Sequence, residues 1–133
     1  MTGDEIVANL LRDYAPLTAI VETRAIKTGA LPDPAPIPSV LVTVVSSVDR
    51  QQLERNPVVH VTDRVAVKAR ARNHAERREI IRLVRKCCAG MIGDIGGGLN
   101  VVIQTAGQGP DLSGPGNSYE KAQDLRVSFD DPT

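Results

Sequence analysis

Two histidines, His60 and His74, and two adjacent cysteines, Cys87 and Cys88, are the residues whose types most readily do chemistry here. Imidazole suits general base catalysis or metal ligation near neutral pH. A thiol suits nucleophilic attack, redox exchange or metal binding. The spacing supports none of these. A nucleophile needs a base within hydrogen-bond reach and a third group to orient that base, and no Ser or Cys motif accompanies either histidine. His60 alternates outward on an expected strand, and His74 falls in the first turn of an expected helix, so both read as surface histidines. Metal sites use spaced ligands, as in C-x-x-C with further Cys or His. A vicinal cysteine pair beside a helix's apolar stripe reads as core packing. The run from Gly93 to Asn100 superficially resembles a phosphate loop. It lacks the closing G-K-[ST] and leads into a strand, so a hairpin or hinge is expected there. No carboxylate pair stands out as acid and base. The residues therefore predict no catalytic site, no metal and no cofactor.

What does rise above background is charge. The chain has 16 basic and 16 acidic residues, but they are segregated. Residues 1–63 sum to −3, residues 64–86 to +7 and residues 87–133 to −4. The central nine cations are Arg64, Lys68, Arg70, Arg72, Arg77, Arg78, Arg82, Arg85 and Lys86. Three readings of this stretch stand side by side. It is a solvated face; or it binds phosphates, each neutralised phosphate adding salt-dependent affinity; or it meets the acidic ends of a neighbouring copy. Only Tyr14, Tyr119 and Phe129 are aromatic, which leaves almost no platform for stacking bases.

Composition narrows the class further. A chain of 133 residues with 41% hydrophobic content has the length of one domain, expected over 1–133, and buries roughly two thirds of its unfolded surface. Mixed charge and that apolar content argue against disorder. No apolar run approaches the ~18 residues of a membrane span, so no membrane partner is expected. The acidic start, Met1-Thr2-Gly3-Asp4-Glu5, lacks a signal-peptide pattern. Two adjacent cysteines make no disulfide framework, which points to a reducing interior.

The elements that must carry these groups follow from periodicity. Ile6, Val7, Leu10, Leu11 and Tyr14 recur at helical spacing, with Thr2 and Glu5 as a capping box, and Pro16 ends the helix. Leu17–Val21 adds a short turn, and residues 23–29 a weak strand. Four prolines between Leu31 and Pro38 mark an extended loop. Val40–Val48 places apolar groups on both faces, as in a central strand covered on both sides. Asp49–Asn56 is turn-like. From Val58 to Arg72, Val59, Val61, Val65, Val67, Ala69 and Ala71 alternate with His60, Thr62, Arg64, Lys68, Arg70 and Arg72. Asn73 caps a second helix, with Ala75, Ile80, Ile81, Val84, Cys87, Cys88 and Met91 as its stripe. Gly90 and Gly93 stop it. Gly96–Gly98 reads as a flexible joint, Leu99–Thr105 as a strand, and Gly107–Asn117 as a mobile loop. Tyr119–Asp130 is a last strand with Leu125, Val127 and Phe129 facing in. The expected fold class is α+β, a mostly antiparallel sheet of four to five strands packed with two helices.

This order of segments resembles the tail-completion, or tail-terminator, proteins of long-tailed bacteriophages and prophages, a family of minor tail proteins. The resemblance rests on Ile6-Val7-Ala8-Asn9-Leu10-Leu11, on Leu17-Thr18-Ala19-Ile20-Val21 leading to Arg24-Ala25-Ile26, and on Ile37-Pro38-Ser39-Val40-Leu41-Val42 after the proline loop. It continues through the long strand Val61–Ala71 into the helix Ala75–Cys88, and ends in Leu125-Arg126-Val127-Ser128-Phe129-Asp130. Lys27 and Ser39 stand where the family commonly has an aromatic, and the loop 107–118 is long and glycine-rich. The resemblance implies a structural virion protein without catalysis. It implies a homo-oligomeric ring, usually a hexamer, that stops growth of the tail tube and offers a surface for head–tail joining. Its implied partners are other copies of itself, the tail tube protein and the head–tail connector, with DNA only as passing cargo. Its implied location is the virion tail, reached from the host bacterial cytoplasm during assembly. On that reading the nine central cations lie at subunit contacts or on the lumen. The alternative is a small nucleic-acid-binding module using the basic face of residues 64–86.

Overall fold

A computed structural model describes residues 2–29, 37–50, 58–114 and 118–132. In chain order the elements are α1 (Gly3–Arg12), α2 (Ala15–Thr18), a 3-10 turn (Thr23–Ala25), β1 (Ile26–Thr28), β2 (Ser39–Arg50), β3 (Val58–Ala71), α3 (His74–Cys88), β4 (Ile92–Gly93), β5 (Leu99–Gln108), β6 (Leu112–Gly114) and β7 (Ser118–Pro132). The prolines at 32, 34 and 36, most of the turn over 49–56 and residues 115–117 of the glycine-rich stretch lie outside the described residues.

The α+β class is as expected, with more pieces. One seven-stranded sheet runs β1-β2-β3-β7-β5-β4, and β6 adds to β7. Only β1 and β2 are parallel; the remaining pairings are antiparallel. The additional strands β4 and β6 are two and three residues long, too short for an alternating pattern to be read from sequence. The stretch taken as a mobile loop thus contains β6, bound to Ser118–Glu120 of β7.

Strand alternation makes the sheet two-faced. On β3, Val61, Asp63, Val65, Val67, Ala69 and Ala71 are buried, and on β7 Leu125, Val127 and Phe129 are buried in register with them. This face carries α1 and α3, whose Ile6, Val7, Leu11, Ile80, Val84 and Cys88 complete the core. The opposite face is polar and carries no helix among the described residues: Thr62, Arg64, Lys68 and Arg70 stand beside Glu120, Asp124, Arg126 and Ser128, with Glu120 buried among them.

Three local expectations are corrected. First, β2 is not covered on both sides. Val40 and Val42 are buried, but Val44, Val45 and Val48 are exposed. β1 pairs only with Val40–Val42, and a bulge falls between Val44 and Ser46. Beyond Val42 the outer edge of β2 has no strand partner among the described residues.

Second, Thr2 does not close a capping box. Its hydroxyl bonds the carboxylates of Asp4 and Glu5 rather than a backbone amide. The amide of Gly3 instead donates to Asp63 Oδ2 of β3 at 2.9 Å. A carboxylate at a helix N-terminus satisfies an orphan N–H and suits the helix dipole. Asp63 is only 3% exposed, and it occupies an inward position that the alternation assigns to an apolar residue.

Third, Gly96–Gly98 is a seat rather than a joint. Asn9 of α1 donates to the Gly96 carbonyl at 2.8 Å. A Cβ on Gly96 would lie 2.6 Å from the Ile6 carbonyl oxygen, and one on Gly98 would lie 2.7 Å from Ile6 Cδ1. The glycines let a loop run against the first helix where any side chain would hold it off.

Candidate assembly interface

The helix that carries most of the cations is set by its ends. Asn73 accepts the Glu76 amide at 2.8 Å, as the cap pattern predicts. Glu76 reaches back to the amide of Arg72 at 3.0 Å and pairs with its guanidinium at 2.7 Å. Ile80, Ile81, Leu83, Val84, Cys87 and Cys88 face the sheet, while Ala75, expected in the stripe, is exposed. Arg77 takes the inward position instead.

The nine cations do not form one face. Those on β3 look out from the polar side of the sheet, and those on α3 lie on the helical layer, on the other side of the molecule. Acidic groups of the same chain answer most of them. Arg64 pairs with Asp124 at 2.7 Å and donates to the Ala106 carbonyl at 3.1 Å. Lys68 and Arg70 share Glu120 at 2.9 and 3.4 Å. These pairs are cross-strand neighbours by register: Arg70 stands opposite Glu120, and Lys68 lies diagonal to it. On the helix, Arg82 pairs with Glu79 at 2.6 Å.

Arg77 is a special case. It is 5% exposed, bonds His74, donates to the Leu112 carbonyl at 3.3 Å and faces Asp111 at 3.5 Å. Its guanidinium lies 5.4 Å from the centre of the Tyr119 ring. It therefore ties α3 to β6 and β7 from within and is not presented to a partner. Arg78, Arg85 and Lys86 are exposed and have no acidic partner among the described residues.

These three border a groove of about 890 Å³ between α3 and the Gln108–Lys121 end of the sheet. The groove's carboxylates are engaged. Glu79 is held by Arg82, and Asp111 by Lys121 at 3.1 Å. Hydrogen bonds from these cations hold both carboxyls below the usual carboxylate range. Sequence reading found the cations, but Asp111, Gln108 and Lys121 carried no signal, because only the fold brings them to α3.

The far end of β7 has the opposite sign. Asp94 accepts the Asn100 amide at 2.9 Å, and Asn100 Nδ2 donates to Asp130 Oδ2 at 2.6 Å. His60 Nδ1 lies 3.1 Å from Asp130 Oδ1. Asn100, first, and His60, second, lower the Asp130 pKa. Asp131 follows in the chain.

His60 and His74 lie on different elements with different partners. Cys87 and Cys88 are buried as free thiols, with Cys87 Sγ 3.6 Å from the Leu10 carbonyl. The hydrogen bond to Cys87 and its own burial push the Cys88 thiol up, as for a packed and inert cysteine. Among the described residues, no cluster of three or more His, Cys, Asp or Glu is disposed to hold a metal, and no helix is long and apolar enough to cross a membrane.

The fold is shared with a virion chain. A chain in the solved structure of the virion of a native gene transfer agent (GTA) particle superposes with a TM-score of 0.69. The match covers 97% of this chain and 95% of that one, at 12% sequence identity. At that identity the likeness establishes the architecture, over nearly the whole of both chains. No protein-family model matches the sequence, and no curated protein matches it.

The paired carboxylates predict an acid limit to stability. Glu76 is lowered chiefly by its bond to Arg72, Glu79 by Arg82, Asp111 by Lys121 and Asp130 by Asn100. A carboxyl whose folded pKa is depressed stabilises the fold above its unfolded value, near 4, and loses that contribution as pH falls through the folded value. Urea midpoints are expected to be flat from about pH 6 to 8 and to fall below about pH 4. A midpoint at pH 3 equal to that at pH 7 would contradict these pairings.

Proposed function

We propose that this chain is a structural, non-catalytic protein of a phage-like virion that acts as a tail terminator. It caps the tail tube as a homo-oligomeric ring, a hexamer in this reading, and presents a surface for head–tail joining. The observation that carries the proposal is the fold shared with a virion chain across 97% of this sequence. The segment order that resembles tail-completion proteins supports it independently. The tail tube protein and the head–tail connector are its neighbours, and DNA is passing cargo. The internal neutralisation of Arg64, Lys68, Arg70, Arg72, Arg77 and Arg82 weighs against a nucleic-acid-binding face, since paired cations release few counterions on meeting a phosphate backbone.

The test is tube capping. The protein is added to polymerising tail tube protein from the same particle, and tube lengths are read by electron microscopy. Tubes of limited length with density at one end are expected. Tubes that grow equally long with and without the protein would overturn the assignment.

A further inference from the structure

The groove beside α3 has a surplus of positive charge that no acidic group among the described residues answers. Arg78, Arg85 and Lys86 rise from one flank of the helix, spaced so that they share a side. Every carboxylate in the groove is already bound to another cation. The matching negative surplus, Asp94 and Asp131, sits at the other end of β7, beside Asp130, whose carboxylate is engaged by His60 and Asn100. From Lys121 at the groove to Asp130 is nine residues of extended strand, or roughly 30 Å. The two sites of one molecule are therefore held apart by the sheet and cannot meet.

We propose that the α3 groove binds the Asp94–Asp130–Asp131 end of a second copy of this chain. The two patches are distinct, so the contact is head-to-tail: each copy offers a groove to one neighbour and an acidic end to the other. Such a contact closes into a ring when the rotation per step divides the circle. The partner is this chain rather than nucleic acid because the chain has only three aromatic residues for stacking: Phe129 is buried, Tyr14 is half-buried, and the exposed Tyr119 ring has the Arg77 guanidinium 5.4 Å from its centre. At the acidic end Asn100 ties Asp94 to Asp130, and Asp94 is exposed.

This inference rests on the ring reading above, and its test is separable from tube capping. Sedimentation of the full chain is followed at about 50 mM and about 500 mM salt, a range over which screening of exposed charges changes strongly. The wild-type protein is expected to self-associate at low salt and to dissociate as salt rises. The groove variant Arg78→Glu/Arg85→Glu and the end variant Asp94→Lys/Asp131→Lys are each expected to associate about a hundredfold more weakly or worse. Mixed in equal amounts they are expected to reassemble in alternation, because the reversed groove of one meets the reversed end of the other and the unaltered groove meets the unaltered end. The variant Asp94→Ser/Asp131→Ser retains an acceptor for the Asn100 amide, so it keeps the test valid if the lysine pair impairs folding, and it must show the same loss. The proposal is overturned by a wild-type monomer at every salt, by variants that associate normally, or by a mixture that fails to recover. Loss of duplex DNA binding in the groove variant with self-association intact would also overturn it. Capping that persists in both charge variants would sink the groove contact and leave the terminator reading standing. Charge-swap rescue without capping would do the reverse.

Discussion

Phe129→Ala is expected to lower the unfolding free energy by about 3–5 kcal/mol, the usual cost of emptying a buried aromatic site. Phe129 is 2% exposed and is the largest fully buried side chain. It lies opposite Val61 on the central strand pair, on the face that carries both long helices. Its removal leaves a void that β3 and β7 cannot collapse into without breaking their ladder, so relaxation is limited. Since small domains are typically stable by only 5–15 kcal/mol, the variant would sit near the edge of folding. Urea unfolding followed by far-ultraviolet circular dichroism measures it, with the slope m unchanged. Phe129→Leu keeps most of the volume and is expected to cost under about 2 kcal/mol. An alanine variant within about 1 kcal/mol of wild type would mean that the core is not centred on this residue.

The second large effect is expected at Gly96. Its φ of +61° lies in the left-handed region, where a Cβ costs roughly 1–2 kcal/mol. The same Cβ would meet the Ile6 carbonyl oxygen at 2.6 Å, a backbone atom of α1 that cannot turn aside. Together these predict a loss of about 2–5 kcal/mol for Gly96→Ala. Gly98→Ala is milder, because one of its neighbours is the flexible end of Ile6. Gly90→Ala is the control: φ is +77° but nothing lies within 4 Å of its Cβ, so only the conformational term of about 1 kcal/mol applies. Thermal melts of the three variants should rank in that order. Equal losses at Gly96 and Gly90 would mean that α1 is not seated on this loop.

Those glycines also show where sequence reading stops. The α3 cap at Asn73, the alternation of β3 and the inward triad Leu125, Val127 and Phe129 were legible because each depends on residues a few positions apart. The seat of α1 was not. A glycine that frees a hinge and one that admits a neighbouring helix are the same letter. Asp63 was missed for the same reason: it serves an amide sixty positions away, so it only looked like an interruption of the apolar face. The cations were all visible, and the capacity of β3 and α3 to hold them was visible too. Their partners were not, because Glu120 and Asp124 come to β3 only through the β3–β7 register. In place of one basic face there are two separate sets, of which Arg78, Arg85 and Lys86 have no acidic partner among the described residues.

The β3–β7 pairing has a consequence for how the chain reaches this state. It joins residues as distant as Val58 and Pro132 at the centre of the sheet, and β5 and β6 also lean on β7. Contacts of such long sequence separation make folding slow, because the loop entropy is lost before the contacts form. During synthesis, β3 must wait for β7 with its valines uncovered. The outer edge of β2 beyond Val42, without a strand partner among the described residues, waits beside it, a template for mispairing with another nascent chain. Folding of this protein is thus expected to wait until β7 has been synthesised, with a yield that falls steeply with concentration.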